Sequence, residues 1–482
     1  MNHTTSPARH FINGELCDSA AVAESHSPAD GRVLGGFHLA DAEDGARMIA
    51  VARAAFQEGP WSRDRHLRHK VLNQIADAIE RRTEDFVLLL SQENGKTLAE
   101  AGFELSLTVP KLRYYAALAL SDSGRAMEVS PGLQMRAVPE PVGVAGVIVP
   151  WNSPVVLAVR SFAPALAAGC TVAMKLPAQT GLVNGLLHQV LAEIPDLPAG
   201  VINSVTESGS EVAKLLVDSP DVDVLSYTGS TAVGRAIMSN AAVNLKKLSL
   251  ELGGKTPMIV FDDADLDQAV PVLTAAVTTF GGQFCMTGSR VLVQSGIAER
   301  LAERLSESLS AVKVGPGDDP ASQMGPMIDA ANARRVDTLV EEADDYATIL
   351  VRGGLMPSED GTENGYYRPS LVQVDDVSSR IVQEEVFGPV ATFEVFDTEE
   401  EAVAKANATV FGLAASIWSR DIDRPGRVGR QLKVGTVWTN TWAVVADQFE
   451  EGGFKQSGLG RLNGLGGLAE FQEFKTYAQQ TG

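Results

Sequence analysis

The sequence predicts an α/β protein built from two doubly wound parallel-sheet domains, and three observations carry that prediction. Short runs are apolar throughout, as buried parallel strands must be when helices cover both faces. Helical stretches alternate with those runs. The alternation restarts after about residue 257, and 482 residues are too many for one compact core.

From Ala42 to Leu120 the pattern is helical, with Leu67–Arg81 and Phe86–Gln92 carrying apolar residues at three- and four-residue spacing. Residues Gly124–Pro139 alternate instead (Met127, Val129, Leu133, Met135, Ala137) and read as an edge hairpin. Strands follow at Val144–Val149, Thr171–Lys175, Val201–Val205, Val224–Tyr227 and Leu248–Leu250. Helices at Pro154–Ala168, Gly181–Glu193, Gly209–Ser219 and Ala232–Ala242 separate them. The second unit opens with a strand at Pro257–Phe261 and a helix at Asp265–Thr278. Its further strands are expected at Arg290–Gln294, Ile349–Arg352, Ala391–Phe396, Ala414–Trp418 and Gly435–Asn440. The glycine-rich Gly452–Gly467 reads as a loop, and Phe471–Ala478 as a last strand.

Charge and composition narrow the function. Lys and Arg total 40 against 61 Asp and Glu, a net charge of −21 that disfavours nucleic acid and anionic membrane as partners. The longest apolar stretch, Val142–Val159, is broken by Pro150-Trp151-Asn152-Ser153-Pro154, so a membrane span is not expected there. The first residues have no apolar core of a leader peptide. Cys17, Cys170 and Cys285 are odd in number and widely spaced, so neither a disulfide framework nor a metal site is expected. The cytoplasm is the expected compartment.

Elimination leaves few chemical candidates. HExxH, GxSxG, the Walker loop and GxGxxG are all missing. All seven histidines, the last at 188, precede the second unit. Cys285 stands in Gly281-Gly282-Gln283-Phe284-Cys285-Met286-Thr287-Gly288, where glycines allow close backbone approach to a thiol. Its bland alternative is an inert core cysteine. Glu251 ends an apolar strand, as a base or as a simple cap. Asn152, in a Pro-Trp-Asn turn, is an amide donor to an oxyanion or merely an Asx-turn residue.

Taken together, these residues sit in blocks that resemble the aldehyde dehydrogenase superfamily across nearly the whole chain. The blocks are Pro150-Trp151-Asn152, Lys175, Tyr227-Thr228-Gly229-Ser230, Glu251-Leu252-Gly253-Gly254-Lys255 and Gly282-Gln283-Phe284-Cys285. They continue with Glu384-Glu385-Val386-Phe387-Gly388-Pro389, Asn440 and Gly452-Gly453-Phe454-Lys455-Gln456-Ser457-Gly458. The resemblance implies two Rossmann-like domains with a small β oligomerisation arm. The cofactor-binding domain would span 1–121 and 141–250, the catalytic domain 251–445, and the arm with the C-terminal segment 122–140 and 446–482. It also implies oxidation of an aldehyde to its carboxylate with NAD or NADP, and a homodimer or homotetramer.

By that resemblance Cys285 is the nucleophile, Asn152 and the Cys285 N–H hold the oxyanion, and Glu251 activates the hydrolytic water. Glu385 would bind the nicotinamide ribose, Phe387 the nicotinamide pocket, Lys175 the adenosine ribose and Ser230 the pyrophosphate. Gly229 and Gly234 bracket the phosphate turn, and Trp151 and Leu252 complete the cofactor set. Two rival functions follow from the same blocks. CoA-acylating semialdehyde dehydrogenases generally lack the acid at the Glu251 position, and a non-catalytic structural paralogue has no need of the intact Cys285, Glu251 and Asn152.

Departures from the family pattern bear on specificity. Ala178 replaces a glutamate that binds both adenosine-ribose hydroxyls in many NAD-preferring members, so NADP is expected to be tolerated. Arg160, eight residues after Asn152, is expected in the substrate tunnel, where a cation favours a carboxylated aldehyde. Its bland alternative is a salt bridge between helices. Thr279 stands where succinate-semialdehyde enzymes carry a second arginine. Glu450-Glu451 replaces a Pro-aromatic pair near the tunnel mouth and sits awkwardly with an anionic substrate, and Leu462 replaces a common acid. Phe284 and Trp442 would wall the tunnel for a bulky or aromatic aldehyde.

Overall fold

In the computed structural model, described over residues 6–121, 123–357, 361 and 363–481, two large sheets carry the fold. Residues 1–5 of the stretch read for a leader, and residue 122 at the start of the expected arm, lie outside the described residues. Each sheet is mostly parallel. The first has five parallel strands in the order Ile202–Glu207, Thr171–Pro177, Val144–Ile148, Val224–Thr228, Lys247–Glu251. Val144–Ile148 is buried at every position, as its unbroken apolar run requires.

The helix Pro154–Ala168 covers this sheet. Pro154 sits in its first turn, where the fixed proline φ suits a helix start, and Gly169 ends it at φ 107°. Val159, Phe162 and Leu166 are fully buried, each contributing roughly 1.5–3 kcal/mol of burial free energy. A buried helix with a single cation, Arg160, must find that cation a partner inside.

The second sheet runs Thr348–Val351, Ser370–Gln373, Val390–Phe396, Arg290–Gln294, Pro257–Val260, Ala414–Trp418, Thr436–Thr439. Only its Thr348–Val351 edge is antiparallel to its neighbour. A buried ion pair locks its centre: Arg290 donates to Glu394 at 2.8 and 2.6 Å, with both side chains at most 2% exposed. Removing one partner leaves the other charge stranded. Arg290→Met is therefore expected to lower the unfolding free energy by about 3–5 kcal/mol in urea titration. A loss below about 1 kcal/mol contradicts this account.

A separate three-stranded sheet joins Arg125–Ser130, Leu133–Pro141 and Gln472–Gln480, the last paired from Gln472↔Pro141 to Gln480↔Leu133. The strand Arg125–Ser130 is exposed at every residue, so this sheet leaves a bare edge.

Two regions differ from the sequence expectation. Four short strands precede Ala42: His10–Ile12, Glu15–Cys17, Ala21–His26 and Val33–Leu39. They are too short and too mixed in polarity to announce themselves. The first gains its place only by pairing with Ile202–Glu207. The glycine-rich Gly452–Gly467 is more than a loop. Gly458–Leu459 adds an antiparallel edge to Lys247–Glu251, and a helix begins at Gly464. Pairing and packing from distant residues override the low propensity of glycine there.

Candidate active site

The parallel strands of the first sheet deliver polar groups to their carboxyl ends, where open α/β sheets bind ligands. Val144–Ile148 runs into the turn that carries Trp151 and Asn152, and Lys247–Glu251 ends on Glu251. Register sets Thr228 directly beside Glu251. Burial then fixes the chemistry of these groups. Asn152 and Glu251 are 6% and 4% exposed.

Cys285 arrives from the other sheet. After the helix Leu266–Thr278 the chain makes three left-handed residues in a row, Phe280, Gly281 and Gly282 (φ 56°, 61° and 69°). A side chain at Gly282 would lie 2.2 Å from the Gly388 carbonyl, so glycine is required there. The resulting loop is held at several points. Gln283 donates to the Phe280 carbonyl at 2.9 Å and accepts from the Ile328 N–H at 2.9 Å, and Thr287 Oγ1 donates to the Gly282 carbonyl. Asn152 Nδ2 donates to the Gln283 carbonyl at 3.0 Å, which ties the amide to the thiol loop. An amide nitrogen carries two protons, so this bond uses only one of them.

Two cavities meet at this point. One, of about 260 Å³, is walled by Phe103, Leu107, Val156, Phe284 and Arg160 among others. The second, of about 310 Å³, is walled by Trp151, Gly229, Ser230, Leu252, Glu385 and Phe387, with Glu251 and Arg335 also lining it. Asn152, Leu157 and Cys285 belong to both. A larger surface depression near Glu58–His66 has none of these residues.

The second cavity has the features of a dinucleotide site. Ser230 caps the helix Thr231–Ala241, whose N-terminal N–H groups favour an anion. Gly229 donates to the Glu251 carbonyl at 3.0 Å, and a side chain on it would strike Tyr227. Glu385 accepts from the Gly254 N–H at 2.9 Å, and Phe387, at φ 53°, meets Trp151 edge-on with centroids 5.6 Å apart. Gly234 lies apart from that wall. It is buried under Leu252, where a Cβ would sit 2.5 Å from the leucine, so its part is to let helix and loop close. Lys175, half-buried on Thr171–Pro177, is also away from the wall. Burial lowers its pKa and Glu207 opposes that shift.

In the first cavity the tunnel cation differs from expectation. Arg160 does line the wall, but it is not free to meet a substrate carboxylate. Its guanidinium donates to Glu451 at 3.0 Å and to Thr228 Oγ1 at 3.0 Å. Glu451 is buried rather than standing at the mouth, while the exposed Glu450 accepts from the Gly466 N–H at 2.9 Å. Phe284 lines the cavity and meets Trp442 edge-on, with centroids 5.9 Å apart, and Trp442 is anchored by an indole bond to the Met286 carbonyl.

Burial shifts both Glu251 and Cys285. Burial pushes the Glu251 carboxyl up to about 8; Arg160 opposes the shift and Glu451 adds to it. Its Oε1 has no hydrogen-bond partner. Burial also pushes the Cys285 thiol up, with Glu451 adding and Arg160 opposing. The resting site therefore holds a neutral thiol beside a carboxyl able to exchange a proton near neutrality.

Sequence reasoning missed one lining group, Arg335, and one buried cation beside the Glu251 block, Lys255. Arg335, on the solvent-facing helix Ala330–Ala343, donates to the Val386 carbonyl at 2.7 Å, and nothing in its local pattern marks it. Lys255 is buried with its ammonium unpaired, and burial lowers it to about 7, with Glu385 opposing. Its place in the Glu251–Lys255 block was the available signal.

The sequence model of the Aldehyde dehydrogenase family matches residues 17–477. Among curated proteins, a betaine aldehyde dehydrogenase of Bacillus subtilis is 40% identical, covering 98% of this chain and 97% of its own. A succinate-semialdehyde dehydrogenase of Paenarthrobacter nicotinovorans is 37% identical over 90% of this chain and 96% of its own. Among solved structures, the betaine aldehyde dehydrogenase of Staphylococcus aureus in complex with NAD+ superposes with a TM-score of 0.95. It is 38% identical, covering 98% of this chain and 95% of that one.

Proposed function

The chain belongs to the aldehyde dehydrogenase family, and from that premise we propose that Cys285, Asn152 and Glu251 carry its reaction. The reaction oxidises an aldehyde to the carboxylic acid with NAD(P)+. The observation that supports this assignment is the meeting of the two cavities at Cys285 and Asn152, with Glu251 on the cofactor side. An aldehyde enters from the cavity walled by Phe284, and the dinucleotide occupies the one walled by Glu385 and Phe387.

Cys285 gives its proton to solvent water, and its thiolate sulfur bonds to the aldehyde carbon, giving a thiohemiacetal whose oxygen carries the negative charge. The second Asn152 amide proton and the Cys285 N–H hold that oxyanion. The bound cofactor supplies a hydride acceptor, which leaves a thioester on Cys285. Glu251 then takes a proton from water, the hydroxide adds to the thioester, and the carboxylate departs as the thiol is restored. Asn152→Ala is expected to cost about 2.7–4 kcal/mol of transition-state stabilisation, a fall in kcat of roughly 10²–10³. Retention of wild-type kcat removes the amide from the mechanism.

A protein of this family lacking Glu251 would have no resident base for water. The presence of that acid favours hydrolysis over acyl transfer to CoA, and the complete trio favours an enzyme over a structural paralogue. Cofactor choice turns on Ala178, which opens the short turn Ala178–Thr180 after the Lys175 strand. No carboxylate stands at that position to repel a 2′-phosphate. Initial rates with NADP+ within about tenfold of those with NAD+ are expected, each tenfold step being 1.4 kcal/mol; strict rejection of NADP+ contradicts this reading.

The relatives' names include a cationic aldehyde and an anionic one, so they do not choose the substrate. Residues 1–121 and 141–250 are assigned to the cofactor domain, 251–445 to the catalytic domain, and 122–140 with 446–482 to the arm and C-terminal segment. The exposed edge Arg125–Ser130 supports a homodimer or homotetramer formed through that arm. Among the described residues no helix is long and apolar enough to cross a membrane, and all three cysteines are free. Free thiols support a cytoplasmic setting.

A further inference from the structure

Five charged residues line the cavity proposed for the aldehyde: Glu104, Lys111, Arg160, Asp447 and Glu451. Every one of them is already paired. Glu104 faces Lys96 behind the wall and accepts from the Val155 N–H at 2.8 Å. The other four form one interlocked set. Arg160 donates to Glu451 Oε1, Asn463 Nδ2 donates to Glu451 Oε2 at 3.0 Å, and Lys111 donates to Asn463 Oδ1 at 2.6 Å and to Asp447 at 2.5 Å.

Glu451 is therefore held at both oxygens. Its backbone is held as well, exchanging bonds with Leu462 at 2.7 and 2.8 Å. It cannot swing aside to release Arg160 without breaking several contacts. The remaining wall is largely apolar, with Phe103, Leu107, Val156, Phe280, Phe284 and Met286.

We propose that Glu451 sets the charge selectivity of this cavity by neutralising Arg160, so that the preferred substrate is an uncharged aldehyde with an apolar or aromatic body. This rests on the reading of the cavity as the aldehyde site. An anionic tail entering here must lose its hydration with no open cation to replace it, and a cationic tail meets acids that are already engaged. An apolar tail meets neither cost. Specificity thus comes from a partner that silences a charge.

The test compares kcat/KM for butanal, 4-oxobutanoate and betaine aldehyde, which present a neutral, an anionic and a cationic end. Wild type is expected to favour butanal over both charged probes. Glu451→Gln keeps the size of the side chain and unmasks Arg160. The 4-oxobutanoate to butanal ratio should then rise about tenfold or more, chiefly through KM of the anion. Should that variant fail to fold, Arg160→Gln gives the converse, a rise of about tenfold for betaine aldehyde relative to butanal as Glu451 becomes unopposed.

A natively folded variant whose ratio stays within about twofold overturns the inference, as does a wild type that prefers 4-oxobutanoate. A wild type that reduces neither NAD+ nor NADP+ with any of the three aldehydes overturns the proposed function, and the inference with it. An active wild type with an unmoved ratio overturns the inference alone.

Discussion

Replacing Cys285 with serine is expected to lower aldehyde-dependent reduction of the cofactor by on the order of 10⁴-fold or more. A hydroxyl is a far weaker acid than a thiol, and no histidine stands in the second half of the chain to activate one. Burial already pushes the Cys285 thiol up, so a serine at the same place would hold its proton more tightly still. The swap is nearly isosteric and lies in a loop whose bonds are made by Gln283 and Thr287. Thermal unfolding should therefore be little altered. Measured absorbance growth at the reduced-nicotinamide band, beside a melting curve, checks both halves. A folded serine variant with more than about 1% of wild-type activity rules Cys285 out as nucleophile.

Glu251→Gln should leave the first half of the reaction and stop the second. One equivalent of reduced cofactor per active site is expected in a burst, followed by turnover roughly 10²–10⁴-fold below wild type. The same residue predicts a pH limb. Burial raises the Glu251 carboxyl to about 8, so below that pH it is mostly protonated and cannot accept a proton from water. Wild-type kcat should rise as pH climbs through about 8, and the glutamine variant should lose that limb. Rapid mixing and a pH series of initial rates provide the measurement. An absent burst with unchanged steady-state rate would falsify the assignment of Glu251 as base.

Much of the fold was legible because parallel strands are buried on both faces and must be apolar throughout. Val144–Ile148, Arg290–Gln294 and Ala414–Trp418 announce themselves in this way. The strands His10–Ile12 and Glu15–Cys17 do not, since three residues carry no period and their pairing partners lie elsewhere. Cys285, Asn152 and Glu251 were legible through the motif blocks around them. Arg335 was not, because a solvent-facing arginine on a helix resembles any other.

The amino-acid sequence by itself determined the two parallel sheets and the family, and pointed to Cys285, Asn152 and Glu251 as the candidate trio, because each is written in local pattern or short motif. Only tertiary structure decided what the cavity lined by Phe284 and Arg160 presents to a ligand. Arg160 and Glu451 are 291 positions apart, and either one read alone suggests a charged tunnel. Folding brings them within 3.0 Å and cancels them, because Coulomb attraction depends on distance through space and not along the chain.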